Sequence, residues 1–291
     1  MTTPGPAAQA VGAILRDARD RRMMLPEQPA ELLGITPHTV HTMEDGHHSI
    51  STAQLEALTG LYRCGPDQWP LWRLLALNEE QKKTVRDDRP GHARRLAACI
   101  RQAHGVRWLS TALLPAPLQI PDYARAVAEH PTALSGAPVT PKARPLYVLD
   151  VRTVRHGSGT PRLMAEQVEH LLGLADAGTV IRVLGEDHPL PQQAGHLVEL
   201  DLPAGRLLAQ PGESGVDYHC DKSLSAPIAD ALALTDCLSS RKALERAAAF
   251  HRALATTSQL PGPAAEEPLP VSAGPPRHLP NPPSAALPLR R

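Results

Sequence analysis

The run from Ala30 to Pro37, Ala-Glu-Leu-Leu-Gly-Ile-Thr-Pro, constrains this chain more than any other stretch of it. Gly34 closes an apolar helical pattern and supplies the left-handed residue on which an α-helix stops. Thr36 is an N-cap residue type, and Pro37 suits the first helical position, where its missing N–H is not needed. One short helix must therefore end, and another begin, within a few residues. The first spans about 26–33; the second runs from Pro37 through Asp45, with Gly46 as its stop. Neighbouring segments repeat the helical period. Residues 7–22 carry Ala10, Val11, Ile14, Leu15 and Ala18 on one face, and 52–63 carry Leu55, Leu58, Leu61 and Tyr62 behind Ser51. A fifth helix is expected from near Pro66, with Trp69, Trp72, Leu74 and Leu75. Residues 1–80 should thus form an all-α block of five helices.

Charge divides the rest. The 30 basic and 30 acidic side chains of the 291 residues cancel, a balance that speaks against nucleic acid only if averaged over the whole chain. By segment the net charge is −4 over 1–80, +6 over 81–110, −3 over 111–260 and +1 over 261–291. Residues 81–110 read as a basic helical connector, with Leu96, Ile100 and Val106 as an intermittent apolar stripe. Its basic part, 82–95, is either a solvated face or a phosphate-facing patch. No apolar run approaches the length of a membrane span, and the N-terminus lacks the basic start of a secretory leader. Cys64, Cys99, Cys220 and Cys237 form no CxxC pair and suit free thiols in a reducing cytosol, so a cytoplasmic protein is expected. Ten of the 31 prolines fall in 261–291 without periodicity, and the tail 257–291 is expected to be disordered.

A helix, a glycine turn and a second short helix form the arrangement whose second helix can enter the DNA major groove. The stretch from Leu15 to Ser51 resembles the Xre/Cro-type helix-turn-helix. The resemblance is carried by Ala30, Glu31, Leu33, Gly34, Ile35 and Thr36 in the turn, and by Val40, Met43, Glu44 and Gly46 in the closing pattern. It makes Gly34, Thr36, Glu44 and Gly46 structural residues, and it puts His38, Thr39, His41 and Thr42 on the DNA-facing side. Arg16, Arg19 and the basic part of the connector would then meet phosphates. Pro26 stands where a phosphate-bonding Gln is usual, Pro29 at an apolar core position, Met23 at a Gly and Thr42 at an Arg or Lys. Four histidines, His38, His41, His47 and His48, fall within eleven residues and can supply positive charge beside phosphate. His38, His41 and Glu44 also share roughly one helix face, but Glu44 matches a structural position, and no metal is expected.

Residues 113–130, LLPAPLQIPDYARAVAEH, resemble the signature of the domain that follows the helix-turn-helix in Scr family antitoxin-like, WhiJ-type transcriptional regulators. Leu114, Pro115, Leu118, Gln119, Pro121, Asp122, Tyr123, Ala124 and Arg125 carry it, with Ala116-Pro117 in place of the usual Gly-Leu. The strand and first helical turn at 147–159 and the central helix at 164–175, with Met164, Gln167, Val168, Leu171 and Leu172, follow in the family's order. Pro115, Leu118, Gln119, Tyr123, Arg125 and Gln167 thereby mark the expected partner or signal domain. Residues 179–189 read as a buried strand, while 196–203, 206–210 and 216–220 alternate as strands of a small antiparallel sheet. A long helix from about 222 to 255 would close a domain spanning 111–256.

The expected fold is α+β: a five-helix block, a basic connector, a mixed domain and a tail. The resemblance implies a DNA-binding regulator, acting as a homodimer, controlled by a signal or by a small protein encoded by an adjacent gene. The alternative is a non-enzymatic interaction scaffold whose degenerate helix-turn-helix no longer binds DNA tightly. No cofactor and no membrane partner are expected. His219-Cys220-Asp221 looks like a compact catalytic cluster, but neighbours in a strand point to opposite faces. Glu186-Asp187-His188 reads as a polar loop, and GSGT at 157–160 lacks the ending of a phosphate loop, so no enzyme is expected.

Overall fold

The computed structural model describes residues 4–65, 71, 74, 83–128, 143–187, 195–212 and 214–257. Most of the expected fifth helix, Lys82 in the connector, His188 and the tail from 258 lie outside them, although Leu71 and Leu74 are buried in the main core. Helix α1 (Pro6–Asp20) opens on proline, and α2 (Glu27–Leu33) stops at Gly34, whose φ of 65° is left-handed. Helix α3 (Pro37–Glu44) is capped by Thr36, whose hydroxyl accepts the Thr39 N–H at 3.1 Å. A reciprocal Ser51–Gln54 capping box opens α4 (Thr52–Leu61).

After this block come β1 (Thr84–Asp87), α5 (His92–Gln102), β2 (Gly105–Ser110), α6 (Pro121–Ala126), β3 (Leu146–Asp150), α7 (Val151–Arg155) and α8 (Pro161–Asp176). Then follow β4 (Val180–Leu184), β5 (His196–Leu202), β6 (Gly205–Gly212), β7 (Gly215–His219), α9 (Ala226–Ala233) and α10 (Cys237–Thr257). The strands form one seven-stranded sheet in the order β1-β7-β6-β5-β2-β3-β4. Its β1-to-β2 portion is antiparallel, but β2, β3 and β4 run parallel, with α7 and α8 as the crossover from β3 to β4. The fold class is α+β as expected, while the small antiparallel sheet is replaced by a larger mixed one.

The connector departs most from expectation. Among its described residues only 92–102 is helical; Val85 and Val106 lie in strands that pair with β7 and β5. Pro90 and left-handed Gly91 break any helix before 92, and the β-branched and aromatic residues of Thr-Val-Arg-Asp and Gly-Val-Arg-Trp-Leu-Ser favour the sheet. The long closing helix is also broken. Between α9 and α10, Asp236 accepts the Ser239 N–H at 2.7 Å and starts a new helix.

One face of the sheet carries the main core, in which Trp108, Leu149, Val198 and Tyr218 pack with Ile14 of α1, Leu96 of α5, Val168 of α8 and Leu244 of α10. On the other face a smaller cluster, Leu109, Val148, Leu184, Leu197 and Leu208, is covered by Ile228 and Ala231 of α9. The remainder of that face is a charged lattice in which Arg107 and Arg206 each bridge Glu199 and Asp201, and Arg86 pairs with Asp217. Helix α1 is therefore shared: it packs on α3 in the N-terminal block and on α5, β6 and β7 in the sheet.

Candidate nucleic-acid interface

Two glycines let α3 lie flat against α1. A Cβ at Gly12 would stand 2.4 Å from the Glu44 carbonyl oxygen, and one at left-handed Gly46 would stand 2.9 Å from the Ala8 backbone. Close approach lets the Arg19 guanidinium reach Glu44 with two bonds, Nε to Oε1 at 2.6 Å and Nη2 to Oε2 at 2.9 Å, while Nη1 donates to the Met24 carbonyl at 2.8 Å. Both side chains are buried, and the Glu44 hydrogen bond raises the Arg19 pKa further. Arg16 adds a hydrogen bond to Glu44 at 3.3 Å and an ion pair with Asp45 at 2.7 Å. The end of α3 also meets the sheet domain. Gln102 and the β5–β6 turn at Leu202 and Pro203 line a recess with Arg16, Glu44 and Asp45.

Arg16 and Arg19, expected at phosphates, thus turn inward and hold α3 in place. Positive charge was legible in the sequence, but its commitment to Glu44 was not. In the basic part of the connector one arginine is buried in the same way and two others make exposed ion pairs. Arg95 is fully buried and clamps Asp87 at 2.7 and 2.6 Å; Arg86 reaches Asp217, and Arg89 reaches Asp88. Farther along, Arg101 pairs with Asp17 of α1 at 2.7 Å through two bonds.

The outer side of α3 is open. His38 and His41 are exposed, one helical turn apart. Thr39 and Thr42 are half-buried, and their hydroxyls have local partners: Thr39 Oγ1 meets Thr36 Oγ1 at 2.9 Å, and Thr42 Oγ1 donates to the Thr39 carbonyl at 2.9 Å. Of the four residues expected to read DNA, the two histidines present the freer polar groups. Beyond Gly46, the N–H groups of His47 and His48 both donate to the Thr42 carbonyl, at 2.9 and 3.0 Å, and both side chains are exposed. Gly34, Thr36, Glu44 and Gly46 occupy the stop, cap, anchor and close-contact positions.

Of the 113–130 motif, the described residues 113–128 form a packed turn leading into α6. Gln167 is buried in α8 and grips that turn at both sides, accepting the Ile120 N–H at 2.8 Å and donating to the Leu118 carbonyl at 2.8 Å. Gln119 donates to the Leu114 carbonyl at 2.7 Å; Leu118 and Tyr123 are buried, Pro115 caps a 3-10 turn, and Arg125 is exposed beside Asp122. Only Arg125 of this set offers a charged group to a partner.

The catalytic candidates do not converge. His219 Nδ1 bonds Thr84 Oγ1 at 3.0 Å, whereas Cys220 Sγ lies 3.2 Å from Gln9 Nε2, and burial pushes its thiol up to about 11. Glu186 pairs with Arg155, and Thr160 of the GSGT run caps α8. Among the described residues no three His, Cys, Asp or Glu side chains are placed to hold a metal, and no helix is long and apolar enough to cross a membrane.

Comparison with known proteins agrees with the N-terminal geometry and stops short of the sheet. No curated protein and no solved structure matches the chain. Residues 10–72 match a family model described as a helix-turn-helix domain, a range that begins within α1 and runs past the end of α4. That block, with α2 and α3 as its paired helices, is a helix-turn-helix domain.

Proposed function

We propose that the chain is a non-enzymatic, DNA-binding transcriptional regulator whose α3 enters the major groove. The observation that carries this reading is a helix anchored along one side by Gly12, Arg16 and Arg19 and open along the other at His38 and His41. A helix of this length covers only one half-site, so the working unit is a homodimer on a two-fold operator. The sheet domain, antitoxin-like by its 113–130 motif, receives a partner protein or signal. Because α1 is common to both parts, an event on the sheet can reach α3 through one helix. The test is a mobility shift on the DNA upstream of the chain's own coding sequence, across a salt series. Binding that weakens with salt and is lost in His38→Ala/His41→Ala is expected; no shift at low salt sinks the reading.

A second reading rests on α2. Met23, Leu25 and Leu32 are 91%, 67% and 51% exposed beside Glu27 and Glu31, a surface better suited to protein than to phosphate. An interaction scaffold would co-purify with the product of an adjacent small gene and show no DNA binding.

A further inference from the structure

The reading half of the helix-turn-helix domain contains no lysine or arginine; none occurs between Arg22 and Arg63. The cations packed against it from α1 are committed, Arg19 to Glu44 and Arg16 to Glu44 and Asp45. Arg21, Arg22 and Arg63 follow the ends of α1 and α4, where Arg22 donates to the Tyr62 and Arg63 carbonyls. On α3 and its following turn stand His38, His41, His47 and His48, all exposed, with no ring hydrogen bond or ion pair to any described residue. The other charged groups around them are acidic or already paired. Glu44 and Asp45 are neutralised by the α1 arginines, Asp20 lies against Arg19, and Glu27 and Glu31 of α2 and Glu56 of α4 are exposed.

We propose that these four imidazoles are the phosphate contacts of the domain, so that DNA binding takes up protons. The proposal rests on the DNA-binding reading above and deepens it. Phosphate needs a cation for the electrostatic share of affinity, and among the described residues of α3 and its following turn histidine alone can supply one. An imidazole of ordinary pKa near 6.5 is largely neutral above pH 7 and gains its proton when a phosphodiester is placed beside it. The DNA-bound state then holds more protons than the free state, and by linkage affinity rises as pH falls towards that value.

The test uses the full chain and a fluorescent mixed-sequence duplex long enough for two half-sites, titrated at fixed ionic strength between about pH 6 and about pH 8. Affinity is expected to be at least about tenfold higher at the acidic end, with a steeper salt dependence there because more phosphates are neutralised. Replacing all four histidines by Gln should abolish the gain, and His47→Arg/His48→Arg should hold binding tight at the alkaline end. His104→Gln/His156→Gln, at exposed histidines of the sheet domain, should leave the gain intact; circular dichroism confirms folding throughout. Equal affinity at both ends, or a four-Gln variant that keeps the gain, overturns the proposal while DNA binding stands. Absence of binding at every pH overturns both.

Discussion

Helices α1 and α3 belong to one helix-turn-helix domain, yet their surroundings differ sharply. In α1, Ala7, Ala10, Val11, Ile14 and Leu15 are fully buried; Arg16 and Arg19 are bound to α3, and Asp17 to Arg101 of α5. In α3, Val40, Met43 and Glu44 are buried, while His38 and His41 face solvent. A charge on a helix is available to a ligand only where neighbouring elements leave it unpaired. By that rule α1 is a structural strut between two parts of the molecule, and α3 is the part that can meet another molecule.

The strongest way to break this contrast is to remove the sheet. A fragment of residues 1–65 would expose the side of α1 that packs on α5, β6 and β7, and circular dichroism should show no cooperative unfolding transition. A fragment that melts cooperatively would make α1 independent of the sheet. Next in size is Glu44→Ala, which leaves the buried Arg19 without its partner and should cost about 3–5 kcal/mol in denaturant titration. Gly12→Ala places a methyl group against the Glu44 carbonyl. It should cost about 1–3 kcal/mol and weaken DNA binding as α3 is pushed from its seat. Gln167→Ala should cost a similar or smaller amount, about 1–3 kcal/mol, by orphaning the Ile120 N–H and the Leu118 carbonyl. Affinity for DNA should not change, because this site is away from α3.

The smallest effect is on pH dependence of stability. Burial lowers the His219 pKa, against the opposing pull of Asp217 and Asp221, and burial lowers that of His92 as well. The unfolded chain therefore accepts protons first as pH falls through about 6.5, and the folded state accepts them only lower. Their contribution is complete above that pH and is lost on acidification towards the folded value. Thermal melts should show a modest fall in Tm below about pH 6.5, reduced in His219→Gln. An unchanged slope would mean that His219 is not among the groups responsible.

The helix-turn-helix was legible because its signals are local. Gly34, Thr36, Pro37 and Gly46 each act through a conformation or a bond within a few residues, and all four do so in the folded chain. The central helix with Gln167 was legible by its period, although its grip on the turn before α6 needed coordinates. Strands β1 and β2 were missed because they are short and flank a helical period in a basic segment, and their partners β7 and β5 lie far along the chain. Arg95 shows the same limit for charge: read as a connector cation, it is buried against Asp87.

By itself the sequence determined where helices stop and start in the first 65 residues, which residue types occupy the outer side of α3, and how charge is distributed by segment. Tertiary structure decided which charges remain free. It committed Arg16, Arg19 and Arg95 to internal carboxylates, left four histidines beside α3 open to solvent, and made α1 common to the helix-turn-helix and the sheet. The physical reason is range. Caps, turns and periodicity act within one or two helical turns, whereas ion pairing and burial depend on residues brought together from distant parts of the chain.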